Sequence, residues 1–310
     1  MKAASVLDAV VSPPQVSARF ADYLDLARLR VSVLVLFTVA AGAFLAAGAS
    51  LDAAQLVHVL LGTGLVAAGA SALNQLLERQ TDALMTRTEN RPLPAGRLSA
   101  TEVLIVGTVL AACGLIYLAV ALRQPVCVGV AAFTFLSYVF VYTPLKRKTP
   151  LNTLIGAVPG AMPPVIGWTA VRGTIDREAL ALFLIVFLWQ VPHFLAIAWI
   201  YREQYARAGL CMLPVLDPDG TQTGRQMVRY CLVLIPVSLL PAALGDAGWL
   251  YGMAAVLLGL GFLQTCLAFG RAASVAQARR VLRASLLYLP VLFLLLLLDG
   301  WWTILRAAGN

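Results

Sequence analysis

The sequence has few charged residues for its length. Only 12% of its 310 residues are Asp, Glu, Lys or Arg, while 60% are hydrophobic, and an ordinary soluble domain carries roughly 25% charged residues. A chain this apolar cannot cover itself with polar surface in water. The composition therefore excludes a cytosolic enzyme, a secreted domain, a disordered regulator and a nucleic-acid-binding module. It indicates a protein that crosses a membrane several times.

The sequence also lacks a cysteine framework and a β-strand pattern. Its five cysteines are scattered, with no CxxC pair and no histidine at ligand spacing, so we expect neither a disulfide nor a zinc site. The period-two alternation of a membrane β-barrel is absent. Residues 1–28 are mixed polar and lack the apolar core of a signal peptide, and we interpret them as a cytoplasmic N-terminal arm.

What the sequence does contain is long apolar runs. A membrane-spanning helix needs about 20 mostly apolar residues, and nine stretches qualify. They run over residues 29–48, 55–77, 101–121, 125–142, 152–171, 179–201, 228–245, 248–270 and 281–300. Because a backbone in lipid must satisfy its own hydrogen bonds, helices are expected throughout. We predict an all-α polytopic membrane protein with nine transmembrane helices, in which residues 29–310 form one membrane domain.

The basic residues predict the orientation of these helices. Most of the 23 Lys and Arg residues lie in the N-terminal arm or in the connections that follow even-numbered spans. The exceptions are Arg123, Arg172, Arg177 and Arg306. Basic loops stay in the cytoplasm, so the N-terminus is predicted to be cytoplasmic and the C-terminus to lie outside. The net charge of +8 thus indicates topology and not a nucleic-acid partner.

Three polar residues occur where the second span reaches the cytoplasmic side. Asn74, Glu78 and Asp82 are spaced i, i+4 and i+8, which places them within about 80° of arc, along about 12 Å of one helix face. Carboxylate and amide oxygens in this arrangement suit Mg²⁺, which takes its other ligands from water and substrate phosphates. A solvated helix end fits the same spacing.

Cations follow this polar stripe and also occur two spans later. Arg87 and Arg91 come directly after it, and Lys146, Arg147 and Lys148 follow the fourth span. Such cations can hold the oxygens of a diphosphate. They can also serve only to set topology or to bind anionic lipid heads.

The sixth span and the loop after it hold two further candidates. His193 lies about 12 Å, two helical turns, from the cytoplasmic end of the span. A neutral imidazole there can bind heme iron, accept a proton or bond to a neighbouring helix. Glu203 follows the span as a second acidic station, which suggests a metal site in two parts.

Several motifs resemble those of known membrane enzymes. The first stretch is Asn74-xxx-Glu78-xxx-Asp82 followed by Arg91-Pro92-Leu93-Pro94, and it resembles the first acidic motif of the UbiA-type intramembrane prenyltransferases. Three more stretches resemble the heme-prenylating branch of that family, the heme O synthases (protoheme IX farnesyltransferases). They are Tyr142-Thr143-xx-Lys146-Arg147 leading to Gly160-Ala161-xx-Pro164-xx-Gly167-Trp168, Trp189-xx-Pro192-His193-Phe194, and Tyr205-xx-Ala208-Gly209-xx-Met212-Leu213-Pro214.

The resemblance implies both a fold and a reaction. The fold is nine helices around a central cavity, with loops that cap its cytoplasmic side. The reaction transfers the farnesyl group of farnesyl diphosphate to a vinyl group of heme b, with a hydroxyl added from water, and yields heme O and diphosphate. Mg²⁺ is the implied cofactor. The implied setting is the cell inner membrane, with heme A synthase or oxidase assembly factors as possible partners.

The resemblance also assigns roles to individual residues. Asn74, Glu78, Asp82 and Glu203 would hold Mg²⁺ and act in catalysis together with Lys146. Arg87, Arg91, Lys146 and Arg147 would bind the diphosphate, and His193 would contact the heme as an axial ligand or an orienting group. The chain departs from the family pattern at Glu78, Gln80 and Glu203-Gln204, where Asp is usual, so the number of Mg²⁺ ions stays open.

Two other functions compete with this interpretation. One is a prenyltransferase for a quinone precursor or another aromatic acceptor, against which the heme-branch motifs argue. The other is a transporter or channel, whose polar residues usually lie at the midplane of the membrane. Here the acids and cations gather at one face, which disfavours a path through the protein.

Overall fold

The computed structural model describes residues 15–308, and the side chains of residues 19–300 apart from 30 and 49. Within that part of the chain every regular element is helical, and eight helices are long and apolar enough to cross a membrane. A ninth span is formed if a bent pair, Arg19–Ala27 and Val31–Ala47, counts as one. The predicted all-α membrane bundle is confirmed.

The helices follow one another with few long connections. In chain order they are α1 (Gln15–Ala27), α2 (Leu29–Ala47), α3 (Ala53–Asp82), α4 (Ala100–Leu122), α5 (Pro125–Leu145), α6 (Asn152–Gly160), α7 (Pro163–Arg172), α8 (Arg177–Ile200), α9 (Arg202–Arg207), α10 (Leu213–Leu216), α11 (Thr221–Val237), α12 (Leu240–Leu244), α13 (Trp249–Arg271) and α14 (Val275–Ala308).

Part of the predicted N-terminal arm is an ordered helix. Helix α1 meets α2 at Arg28, whose φ of 48° is left-handed, and the two helix axes differ there by 47°. The Gln75 amide of α3 donates to the Leu26 carbonyl at 3.0 Å, and the Leu26 side chain is buried. Helix α1 is thereby fixed beside the C-terminal half of α3. Residues 1–14 of the arm lie outside the described residues.

Glycines let neighbouring helices approach closely, as is usual where helices pack without a hydrophobic drive. A Cβ on Gly167 of α7 would lie 1.9 Å from the Val39 carbonyl oxygen of α2, and one on Gly42 would lie 2.0 Å from that of Pro164. The α3–α4 contact is similar, since a Cβ on Gly69 would lie 2.6 Å from the Gly107 carbonyl oxygen. The crossing with α4 fixes α3, the helix that carries the polar stripe, in the bundle.

Helix α5 changes its winding near its C-terminal end. Residues Ser137–Tyr142 form a π-helical segment, a feature found frequently at functional sites. The Thr143 backbone N–H and side-chain hydroxyl both donate to the Tyr138 carbonyl. The wider turn places Tyr142 and Thr143 against the end of α3.

The span between residues 152 and 172 is interrupted. Helix α6 ends at Gly160 and α7 begins at Pro163, because the paired prolines 163 and 164 cannot donate backbone hydrogen bonds to the preceding turn. The Gln190 amide of α8 donates to the Ala157 carbonyl of α6 at 3.3 Å. A Cβ on Gly160 would lie 2.1 Å from the Gln190 Oε1 atom, so only glycine allows this contact.

Candidate active site

The polar stripe of α3 starts with a fully buried amide. The Asn74 side chain is 0% exposed, and its Nδ2 donates to the Thr143 hydroxyl oxygen at 3.0 Å. The Thr143 hydroxyl proton is already donated to the Tyr138 carbonyl at 2.9 Å, so this oxygen can only accept from Asn74. The amide orientation is thereby fixed, and its Oδ1 is left buried without a partner. An orphaned acceptor of this kind calls for a ligand that donates or a cation.

The second residue of the stripe is paired with a cation from the loop after α5. The Lys146 ammonium lies 2.7 Å from the Glu78 carboxylate, with both side chains largely buried, and 4.5 Å above the Tyr142 ring. Burial by itself lowers the pKa of Lys146, but the Tyr142 phenol and the Glu78 carboxylate that face it raise that pKa above its usual value. Lys146 therefore stays a cation beside Glu78, at the middle of the stripe.

The third residue is paired with a cation from its own loop. The Arg91 guanidinium lies 2.5 Å from the Asp82 carboxylate, whose side chain is 1% exposed. The Thr88 hydroxyl donates to the Asp82 carbonyl at 2.8 Å and folds the loop back onto the helix. Burial lowers the pKa of Arg91, and the like charge of nearby Arg28 lowers it further. The Asp82 carboxylate opposes both effects and stabilises the Arg91 cation.

The loop after α3 is held against the segment after α8. The Arg87 guanidinium donates to the Tyr205 hydroxyl at 3.1 Å and lies 4.9 Å from the centre of the Tyr201 ring. The Arg87 backbone N–H donates to the Gln204 side-chain oxygen at 3.3 Å. Beneath these contacts Met85 packs in an apolar cluster with Tyr205 and its neighbours. The two long connections, one after α3 and one after α8, therefore form one cap.

The loop after α5 is joined to the same cap. The Cys211 N–H donates to the Lys146 carbonyl at 2.8 Å, and its thiol lies 3.1 Å from the Arg147 carbonyl. The Asn152 side chain donates to the Cys211 carbonyl at 2.8 Å. These bonds hold the backbone that carries Lys146 in place, so the ammonium is directed at Glu78 by a rigid frame.

Two of the predicted site residues lie at the edge of this arrangement. Glu203 and Arg147 are exposed, and neither side chain has a hydrogen bond or ion pair with the residues the structure describes. Nor do three His, Cys, Asp or Glu side chains converge as metal ligands anywhere in the described ranges. The predicted stripe and its cations come together, whereas the predicted two-part carboxylate site is not assembled in this conformation.

His193 lies on α8 in contact with α14. Its Nδ1 is 2.8 Å from the Ser285 hydroxyl oxygen, and its ring stacks on Trp189 with centroids 5.0 Å apart. The Trp189 indole donates to the Ser285 carbonyl at 2.8 Å. The expected hydrogen bond to a neighbouring helix is therefore present, and it engages only one of the two ring nitrogens.

Reasoning from the sequence missed several residues that complete the site. Thr143 orients Asn74 and Tyr205 accepts from Arg87, while the Tyr142 ring lies under the Lys146 ammonium and Arg28 lies near Arg91. A weak signal existed for the tyrosines, since aromatic residues next to cations often stack on them. No local pattern indicates that Thr143 would orient Asn74, because that contact depends on the π-helical turn.

The arrangement has more cations than carboxylates. Glu78 and Asp82 each meet one cation, and Arg28 and Arg87 add positive charge beside Arg91. Such a site suits an anion with several oxygens, held by paired cations beside a stripe of protein oxygens. The chemistry of the site is thus that of a polar mouth for a phosphorylated substrate above an apolar bundle.

Comparison with known proteins agrees with this class of site. The chain matches the UbiA prenyltransferase family over residues 35–296, and it belongs to that family of membrane enzymes. Over 287 residues it is 47% identical to a protoheme IX farnesyltransferase of Solibacter usitatus, which covers 90% of this chain and 98% of the relative. Over 289 residues it is 45% identical to one of Thiobacillus denitrificans, covering 93% of this chain and 96% of the relative.

Solved structures of more distant proteins share the fold. A digeranylgeranylglyceryl phosphate synthase superposes with a TM-score of 0.77 at 16% identity and covers 92% of this chain and 99% of its own. A UbiA homologue from Archaeoglobus fulgidus, bound to GPP and Mg²⁺, superposes with a TM-score of 0.57 at 18% identity, covering 89% and 99%. The family fold is confirmed for the described chain.

Proposed function

We propose that this protein transfers the farnesyl group of farnesyl diphosphate to a vinyl group of heme b. The bond between the farnesyl C1 atom and the diphosphate breaks, the vinyl group attacks C1, and water adds to the resulting cation with loss of a proton. The products are heme O, diphosphate and a proton. Relatives named protoheme IX farnesyltransferase at 41–47% identity over most of the chain support this reaction.

The observation that carries the proposal is the convergence of the α3 stripe with cations from two loops. The Asn74 Oδ1 atom is orphaned, and the Glu78 and Asp82 carboxylates point along the same face. These oxygens fit Mg²⁺, which prefers one or two carboxylates together with substrate phosphates. When bound, Mg²⁺ supplies positive charge that stabilises the departing diphosphate.

The chain's own cations would change partners when the diphosphate enters. Lys146 and Arg91, which now neutralise Glu78 and Asp82, would turn to phosphate oxygens and release the two carboxylates. Arg87, already aimed by Tyr205 and Gln204, would close over the substrate with Arg147. Cations placed in advance stabilise charge that develops as the bond breaks, which is their main catalytic effect.

The farnesyl tail and the heme would contact different parts of the chain. The farnesyl tail would lie among the apolar helices, which keep bulk water from the allylic cation. His193 would face the heme, with its free ring nitrogen as an axial ligand or an orienting group. We further propose that the basic end of the bundle is cytoplasmic and that the protein resides in the cell inner membrane, where heme A synthesis uses its product.

A reconstituted assay tests the proposal. Purified protein in lipid nanodiscs is incubated with farnesyl diphosphate, heme b and Mg²⁺, and the hemes are separated and identified by mass. We expect heme O, and none after chelation of Mg²⁺. A prenylated hydroxybenzoate in place of heme O would favour the quinone-precursor alternative, and flux across liposomes without any prenylated product would favour a transporter.

A matched pair of variants on α3 tests the site itself. Asp82→Asn removes a carboxylate from the stripe and should lower turnover about 100-fold or more, the usual scale for a lost electrostatic group. Asp52→Asn makes the same change at the other end of α3, where Asp52 caps the helix and Asn caps equally well. Equal activity of the two variants would contradict the proposed site.

A further inference from the structure

The hydroxyl of Ser285 has two neighbours and one proton. Its oxygen lies 2.7 Å from the Leu282 carbonyl oxygen and 2.8 Å from the His193 Nδ1 atom. A carbonyl oxygen can only accept, so the serine proton must be donated to Leu282. The contact with His193 then requires a proton on Nδ1, which donates to the serine oxygen.

This assignment leaves the other ring nitrogen bare. A neutral imidazole carries a single N–H, so a proton on Nδ1 gives Nε2 a free lone pair. Nε2 has no hydrogen-bond partner among the residues described by the structure. The His193 ring is partly exposed, although Ser285 is fully buried. The Nδ1 edge of the ring therefore faces a buried hydroxyl, and the exposure of His193 comes from the rest of the residue.

Trp189 fixes the position of both partners. Its indole stacks on the His193 ring at an interplanar angle of 24°, and its N–H donates to the Ser285 backbone carbonyl. The ring plane and the serine backbone are thus held by one side chain. This geometry resembles the way a protein orients a metal-binding histidine, by giving its second nitrogen a fixed acceptor.

We propose that Ser285 is a positioning residue, which fixes the Nδ1–H tautomer of His193 so that Nε2 is presented to the heme substrate as a lone-pair donor. The inference deepens the proposed function and rests on it for the identity of the ligand. The tautomer itself follows from the hydrogen bonds of the heme-free protein and can be measured without any substrate.

The other histidine of the chain provides an internal control. His58 Nδ1 lies 2.7 Å from the Tyr117 hydroxyl, and that hydroxyl has no second partner among the described side chains. A phenol can donate or accept, so nothing dictates the tautomer of His58. The sequence has two histidines in all, so a spectrum of labelled histidine contains only these two rings.

Nitrogen NMR of ¹⁵N-histidine-labelled protein in nanodiscs tests the tautomer. Spectra are recorded without heme at about pH 8, where an ordinary histidine is neutral, and His58→Gln assigns the signals. We expect His193 to show a protonated Nδ1 and a bare Nε2. Ser285→Ala should shift population to the other tautomer, and Ser285→Thr, which keeps the hydroxyl, should restore it. A protonated Nε2 in the wild type, or an unchanged spectrum in Ser285→Ala, would overturn the proposal.

A heme titration tests what the tautomer is for. Ser285→Ala should weaken heme b binding about tenfold, as removal of a histidine-orienting partner usually does, and leave the KM for farnesyl diphosphate unchanged. Tyr117→Phe, the matched change beside His58, should leave both unchanged. Weaker heme binding in Ser285→Ala without a tautomer shift would overturn the assigned role. If the wild type binds no heme, the proposed function fails, while the NMR result still decides the tautomer.

Discussion

The two acidic segments at the polar end of the bundle differ in how their charges are held. On α3, Glu78 and Asp82 are largely buried, and each meets a cation within 2.7 Å. In the segment after α8, Glu203 is exposed, and its neighbours Gln204 and Tyr205 bind Arg87 through neutral groups. The first segment holds its charges against cations, and the second holds the first segment's loop in place.

Burial explains this difference. A buried carboxylate is costly unless it is paired, so the α3 acids need cations nearby when no ligand is bound. Those same cations are then in position when a diphosphate arrives. An exposed carboxylate in water is already solvated and gains little from a partner. The contrast predicts that the two segments contribute very unequally to turnover.

The same substitution in both segments tests this inequality. Glu78→Gln should lower kcat about 100-fold or more, because it removes a buried charge from the stripe and leaves Lys146 unpaired. Glu203→Gln should change kcat by less than about fivefold, since its carboxylate is exposed. Steady-state rates of heme O formation give both values. Similar losses would show that Glu203 moves into the site when substrate binds.

The two neighbouring cations of the loop after α5 give the next largest contrast. Lys146→Met removes the paired cation and should lower kcat/KM for farnesyl diphosphate about 50-fold, on the scale of a lost charged contact. Arg147→Met removes an exposed cation and should cost about threefold. Kinetics at varied farnesyl diphosphate measure both. A larger loss for Arg147→Met would reverse the assignment of the diphosphate-binding cation.

The raised pKa of Lys146 adds a pH test of its ion pair with Glu78. Its folded pKa lies above the usual value because the Tyr142 phenol and the Glu78 carboxylate face the ammonium, so the stabilisation they give is fully present below the unfolded pKa of about 10.4. It is lost only as the pH rises through the folded value. Thermal unfolding of the wild type relative to Lys146→Met should therefore show a constant difference from about pH 7 to 10.

Much of this architecture could be predicted from the sequence. The lengths of the apolar runs predicted the membrane-spanning helices. The i, i+4, i+8 spacing placed Asn74, Glu78 and Asp82 on one face, because α3 is regular to its end. Arg91 could be placed beside the stripe because it follows Asp82 by only nine residues. These are local features, and local geometry decides them.

The features that could not be predicted depend on distant parts of the chain. Arg87 and Tyr205 are 118 residues apart, and no local spacing connects them. The orientation of Asn74 depends on Thr143, which reaches it through a π-helical turn that the sequence does not indicate. Helix α1 could not be predicted because its residues are mixed polar and its position depends on packing against α3.

The hydrogen bond between Thr143 and Asn74 belongs to the buried α3 segment, and its loss should have a smaller effect on turnover. Thr143→Val keeps the shape but removes the oxygen that accepts from Asn74, so the amide is free to rotate its carbonyl away from the stripe. We expect kcat to fall about tenfold, as when an orienting partner of a ligand is lost. Thr134→Val, which removes a hydroxyl bonded only within α5, should have no effect. Equal rates in the two variants would argue that Asn74 needs no fixed orientation.

The smallest effect is expected in the neutral segment after α8. Tyr205→Phe removes the hydroxyl that accepts from Arg87 but keeps the ring, so the loop loses one partly exposed hydrogen bond of about 1 kcal/mol. The KM for farnesyl diphosphate should rise about fivefold with kcat unchanged, because Arg87 is held less firmly before substrate binds. Tyr201→Phe is the matched control, since Tyr201 meets Arg87 through its ring alone. A fall in kcat in Tyr205→Phe would instead mean that the second segment takes part in the chemical step, and the division of labour between the two segments would not hold.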